Sequence, residues 1–115
     1  MAKRYLVWYL PETTRDGTRQ GPTFYVDEDS EMLGLRVYAG LAPDTTNMTF
    51  DIKADDTSIL DGYASLTKGE YESDLAGDFV NGAVIEAGSW VSLDMVDNGG
   101  AKEITVTLEL ESFEE

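Results

Sequence analysis

The sequence predicts an all-β fold: an antiparallel β-sandwich, jelly-roll or immunoglobulin-like, of about seven to nine short strands. Three observations predict it. Apolar residues recur with a period of two rather than 3.6, turn-forming clusters of Gly, Pro, Asn and Asp return about every eight to twelve residues, and 115 residues suffice for one core without disulfides or metals.

Taken in order, residues 4–10 form an apolar and aromatic strand, and residues 13–21 read as a loop because they hold Asp16-Gly17 and Gly21-Pro22. Phe24-Tyr25-Val26 is a short strand. Leu33, Leu35, Val37 and Ala39 then alternate with Gly34, Arg36 and Tyr38 until Pro43, which cannot donate to a ladder, interrupts. Met48, Phe50 and Ile52 alternate with Thr49, Asp51 and Lys53. Asp55-Asp56 makes a turn, and residues 57–60 form a strand closed by Asp61-Gly62.

Residues 63–81 carry the weakest pattern. Tyr71, Ser73 and Leu75 suit a strand edge, and residues 76–80 suit a loop or a turn of helix. Glu86-Ala87-Gly88 is a turn. Val91, Leu93 and Met95 then alternate with Trp90, Ser92 and Asp94. Ile104, Val106, Leu108 and Leu110 form one face of the last strand, opposite Glu103, Thr105, Thr107, Glu109 and Glu111. Between these two runs lies Asp97-Asn98-Gly99-Gly100, whose tolerance of positive φ predicts an antiparallel hairpin over residues 90–112. The expected organisation is a strand and loop over 1–21, read either as an attachment segment or, for residues 4–10, as an edge strand of the sandwich, then a sandwich core over 22–112 and a short acidic tail over 113–115.

Composition removes whole classes of chemistry. With no Cys there is no disulfide and no thiol chemistry. With no His, the usual neutral-pH general base and the usual metal ligand are both missing. The chain has 23 acidic and 8 basic residues, a net charge of −15, which repels nucleic-acid phosphates and anionic membrane surfaces. The charge is uneven. Residues 1–36 hold five basic and six acidic residues, whereas residues 70–115 hold Lys102 alone against twelve acidic ones. Solubility is the plain reading of this asymmetry. The sharper one is that the near-neutral N-terminal part docks while the acidic part faces solvent. The longest apolar stretch, residues 5–10, is too short to span a bilayer or to serve as a secretory signal.

The order of the motifs carries a resemblance. Gly21-Pro22-Thr23-Phe24-Tyr25-Val26 precedes Leu35-Arg36-Val37-Tyr38-Ala39-Gly40 with Ala42-Pro43, then Thr49-Phe50-Asp51-Ile52-Lys53 with Thr57-Ser58-Ile59. Glu86-Ala87-Gly88-Ser89, Val91-Ser92-Leu93-Asp94-Met95-Val96 and Ile104-Thr105-Val106-Thr107-Leu108 follow. In this order they resemble a β-module of tailed-bacteriophage virion structural proteins, often found in minor tail or tail-fibre chains. The chain departs from that pattern at Asp56, where such modules usually have Gly, at Ala87-Gly88-Ser89, and throughout residues 63–81.

The resemblance implies a virion structural protein, made in the host cytoplasm, with no catalytic residues to carry over and no cofactor. The expected role is capsid decoration: a cement protein that binds and stabilises the assembled head. The choice of head rests on the expectation that a chain running from Met1 to Glu115 stands alone, without a trimerising stalk. The alternative is a tail, baseplate or fibre component that binds a host receptor or glycan. A third class is a carbohydrate-binding or hydrolytic domain unrelated to phage. Expected partners are the major capsid protein or other virion proteins, or further copies of the chain, but neither nucleic acid nor membrane.

Paired carboxylates for glycoside hydrolysis lack the apolar setting that raises a pKa. Asp55, Asp56 and Asp61 are the first candidates for calcium, although they lack the EF-hand spacing, so no metal site is expected. The expected contact residues are Arg4, Trp8, Tyr9, Arg15 and Arg19. Lys3, Arg4, Arg15 and Arg19 are half of the basic residues, and a strand must send adjacent Trp8 and Tyr9 to opposite faces. Trp8 and Tyr9 serve either as partner anchors or as edge aromatics packed by loops. Trp90 and Tyr38, opposite the apolar faces of their strands, suggest a second apolar surface between protomers.

Overall fold

The computed structural model describes residues 3–13, 17, 20–75 and 84–112. Among these there are ten strands and no helix: β1 (Lys3–Thr13), β2 (Phe24–Val26), β3 (Ser30–Leu41), β4 (Met48–Ala54), β5 (Thr57–Ser58), β6 (Ala64–Leu66), β7 (Glu72–Asp74), β8 (Val84–Ile85), β9 (Ser89–Asp97) and β10 (Lys102–Ser112).

They form two antiparallel sheets. One runs β1-β10-β3-β7, with β8 also on β3. The other runs β2-β9-β4-β5, with β6 also on β4. The pairs are nested: β1 with β10, β2 with β9, β3 with β7 and β8, β4 with β5 and β6. A long hairpin rolled around itself gives this nesting, so the sandwich is a jelly roll rather than an immunoglobulin-like fold.

The period-two patterns put one face of each sheet inside. Leu6, Trp8 and Leu10 of β1, Leu35, Val37 and Ala39 of β3, and Ile104, Val106, Leu108 and Leu110 of β10 meet Met48, Phe50 and Ile52 of β4 and Val91, Leu93 and Met95 of β9. Trp8 lies fully inside. Its indole N–H donates to the Pro22 carbonyl at 2.8 Å, and its ring meets Phe24 edge-on at 5.2 Å. That bond gives the one polar atom of the ring a partner, as burial of an indole requires.

Several expectations are corrected. Residues 90–112 are not a hairpin. β9 lies between β2 and β4, while β10 in the other sheet lies between β1 and β3. The Asn98-Gly99-Gly100 turn is therefore a corner that carries the chain from sheet to sheet. The Gly99 carbonyl accepts the Asp44 and Thr45 N–H groups at 2.9 and 3.0 Å, which fixes the corner to the β3–β4 connection. Gly99 has φ +63°, and a Cβ there would collide with the Thr46 carbonyl.

In β3 a bulge opposite Glu109 and Leu110 inserts one extra residue, so Met32 rather than Leu33 enters the core. The first segment is the edge strand of its sheet: β1 pairs with β10 from Lys3 to Thr13, so the sandwich includes residues before 22. The weak region contributes β6 and the edge strand β7, the latter where the Tyr71, Ser73, Leu75 pattern predicts an edge. The expectations for residues 76–80 and 113–115 lie outside the described residues.

Candidate interaction surface

The outward residues of the β1-β10-β3 sheet stand in register as rows. Tyr5 lies beside Glu109 and Gly34, Val7 beside Thr107 and Arg36, and Tyr9 beside Thr105 and Tyr38. β7 extends two of the rows with Asp74 and Glu72. Tyr5, Tyr9 and Tyr38 are each more than half exposed, and Val7 is 43% exposed. An open hollow of about 470 Å³ lies among Arg36, Tyr38, Glu72, Asp74, Thr105 and Thr107. Among the described residues two ion pairs lie on this face, Lys3 with Glu109 at 3.4 Å and Arg36 with Asp74 at 3.8 Å, and at the surface they add little to stability. Three phenols, a valine and two threonines thus share a face with Glu109, Arg36, Asp74 and Glu72, mixing large rings and hydroxyl groups with charges. Its aromatic residues and Arg36 are of the kinds enriched where proteins meet.

The structure separates the expected contact residues. Tyr9 is on this face. Trp8, its neighbour, is core, and it leaves the set of contact residues because β-strand alternation turns it inward. Arg4 shares the inward parity of Trp8 but sits at the sandwich margin. There it pairs with Asp27 at 3.2 Å and donates to the Tyr25 carbonyl at 3.5 Å, tying β1 to the segment after β2. Arg15 and Arg19 lie outside the described residues. Tyr38 and Trp90 do not share a surface, because they stand on the outer faces of opposite sheets. Tyr5 and Val7, which sequence reasoning did not single out, could have been found from the same alternation that exposes Tyr9.

The second face is smaller. On the β2-β9-β4 sheet, Tyr25 is the register partner of Trp90, and their rings lie 4.9 Å apart at 55°. Beside Trp90 stands the β4–β5 turn, where Asp55 and Asp56 have φ of +50° and +66°. The Asp55 N–H donates to the Trp90 carbonyl at 2.9 Å, and the Asp55 carboxylate accepts the Trp90 N–H at 3.0 Å.

Farther along this sheet, Asp51 and Asp94 are buried register partners. Asp51 accepts the Ile52 N–H at 2.9 Å and the Ser58 hydroxyl at 2.7 Å. Asp94 pairs with Lys53 at 2.8 Å. The hydrogen bond and charge of Asp94 raise the Lys53 pKa above its ordinary 10.5, with smaller help from Asp51 and Asp56. These carboxylates serve the sheet itself. Asp55, Asp56 and Asp61 do not converge: among the described residues no three acidic side chains are grouped to hold a metal.

No known family and no curated protein matches the chain. Among solved structures, the tobacco streak virus coat protein dimer is similar over 96% of this chain and 84% of that one, at 12% identity and a TM-score of 0.34. A likeness of that strength says nothing of what this chain does. The fold and its surfaces define a jelly-roll domain with an exposed tyrosine-rich sheet face and a separate aromatic and acidic corner.

Proposed function

We propose that the chain is a non-catalytic virion structural protein of a tailed bacteriophage, a decoration protein that docks on the assembled head. The observation that carries this reading is the exposed face of Tyr5, Val7, Tyr9 and Tyr38 around Thr105 and Thr107. The motif order described above supports it, and jelly rolls are a fold that capsid proteins use.

On this reading the face of β1, β10 and β3 seats on the major capsid protein, and the basic residues of the first 21 positions assist. A chain that binds assembled shell but not its separated subunits stabilises the shell by mass action. The acidic residues outside this face stay in solvent, and the net negative charge keeps free copies apart before assembly. A tail or fibre role has the same fold and differs in stoichiometry.

The test is mass-spectrometric counting of the chain in purified particles. A head decoration protein is present in numbers comparable to the major capsid protein, whereas a tail component is present in a few copies. Absence from particles overturns the virion reading.

A further inference from the structure

We propose that the outer edge of β1 is a self-association edge: two copies of this chain pair their β1 strands antiparallel about a two-fold axis at Val7, which joins their β1-β10-β3-β7 sheets into one. The inference goes beyond the docking role and does not need it, because its test uses the purified chain alone.

Among the described residues β1 is the one long edge of the sandwich. It closes one end of its sheet with 11 residues. The strand at the other end, β7, has 3, and the ends of the second sheet, β2 and β5, have 3 and 2. Short edge strands offer a neighbour little to pair with, whereas a long, regular, uncharged edge is a template for another strand. β1 keeps regular register with β10 from Lys3 to Leu10, and residues 5–10 contain no charge and no proline. The rest of the chain leads away from this edge. Gly17 and Gln20 donate to the Met95 and Leu93 carbonyls of β9 in the opposite sheet, at 2.7 Å each. β7 and β8 both lie on β3, across β10 from β1.

The occupant is a second copy because the strand is self-complementary, as a two-fold contact requires. Its outward residues Tyr5, Val7 and Tyr9 are exposed and read the same in both directions. An antiparallel pair centred on Val7 sets Tyr5 against the partner's Tyr9, Val7 against the partner's Val7 and Leu6 against the partner's Trp8. Cross-strand pairs of aromatic and β-branched residues are those that stabilise sheets. The symmetric stretch, Arg4 to Leu10, falls within the regular part of β1. A foreign strand gains the same backbone bonds, but only a copy of β1 is assured the matching row.

Charge points to the same edge. Two copies at −15 each repel, so approach is easiest where the repulsion is least. Residues 3–13 hold Lys3 and Arg4 against Glu12, a net of +1. In dilute solution at low salt the remaining charge still holds copies apart, and salt relieves that repulsion by screening.

Sedimentation equilibrium of the chain at concentrations up to about 1 mM should show the 12.7 kDa monomer in exchange with its dimer. The dimer should tighten about tenfold between about 0.05 and about 0.5 M salt. Val7→Lys sets two ammonium groups against each other at the axis and should weaken the dimer at least about tenfold. Tyr38→Ser, on the same face but two strands in from the edge, should leave it unchanged.

The chain has no Cys, so single introduced thiols report the contact. Directly opposed residues of an antiparallel pair have Cα atoms about 4.5–5.5 Å apart, within disulfide reach. Under mild oxidation Val7→Cys should form covalent dimers at least about tenfold faster than Val84→Cys, which lies on β8 with the same 43% exposure. Tyr5→Cys and Tyr9→Cys should cross-link when mixed but not singly. The proposal is overturned if the chain stays monomeric at high salt, if Tyr38→Ser weakens the dimer as much as Val7→Lys, or if Val7→Cys cross-links no faster than Val84→Cys. The thiol comparison decides the matter even where Val7→Lys fails to fold. A chain that dimerises in this way yet is absent from particles would sink the docking role while supporting this one.

Discussion

Substituting Val106 by Asp should abolish folding, whereas the same change one residue earlier, Thr105→Asp, should leave the sandwich folded. Val106 lies at the centre of its sheet, between Trp8 of β1 and Val37 of β3, and none of its surface is exposed. Losing the buried valine forfeits about 1.5–3 kcal/mol. Leaving an unpaired carboxylate in its place costs several kcal/mol more, about 3–5 by analogy with broken buried ion pairs. Together these approach or exceed the stability of a domain that holds only about 5–15 kcal/mol in total.

Thr105 faces outward between Tyr9 and Tyr38 and is half-buried. An Asp there keeps contact with water and should cost no more than about 1 kcal/mol. Circular dichroism with urea titration of both variants at neutral pH measures the contrast. Equal loss of stability in the two would refute the assigned inward face of β10, and with it the jelly-roll register. Thr105→Asp has a second consequence: it introduces a charge on the proposed docking face, so a folded variant should bind particles less well.

Ser58→Ala leaves the buried Asp51 without one of its two donors and should cost about 1–3 kcal/mol in denaturant titration. Gly99→Ala should destabilise the chain by at least about 1 kcal/mol, read as a lower melting temperature, because the corner needs both positive φ and space against Thr46. The ion pair of Lys53 with Asp94 gives a pH prediction. The folded-state pKa of Lys53 is raised, so its contribution is fully present below 10.5 and is lost as pH rises through the folded value. Lys53→Met should flatten that part of the stability profile relative to the parent chain, and an unchanged alkaline slope would refute the assignment.

Alternation made the inward faces of β4, β9 and β10 legible, because a half-buried strand repeats its chemistry every two residues. It made exposed Tyr38 legible for the same reason, but for adjacent Trp8 and Tyr9 it told only that they face opposite ways. The β3 bulge was not legible, since one inserted residue shifts the phase and both Met32 and Leu33 are apolar. The corner at Asn98-Gly99-Gly100 was misread because positive-φ residues serve a tight hairpin and an inter-sheet corner equally well. Only the occupied edges of β10, paired with β1 and β3, exclude the hairpin. The Tyr25–Trp90 pair was hidden because β2 and β9 lie far apart in sequence, and nothing local to either strand records that they are neighbours. Trp8 looked like a contact residue because adjacent aromatics give no sign of which one faces inward. The decision rests on Phe24 and Pro22 across the sandwich.

The most direct measurement is cosedimentation of the purified chain with particles that lack it, comparing the parent chain with a Tyr9→Ser, Tyr38→Ser variant. Both phenols are exposed neighbours of Thr105, so the variant should keep its circular dichroism spectrum and melting temperature. The docking account predicts saturable binding of the parent chain and a loss of at least about tenfold in affinity for the variant, the scale of aromatic anchors at interfaces. A folded variant that binds particles as tightly as the parent chain would contradict it.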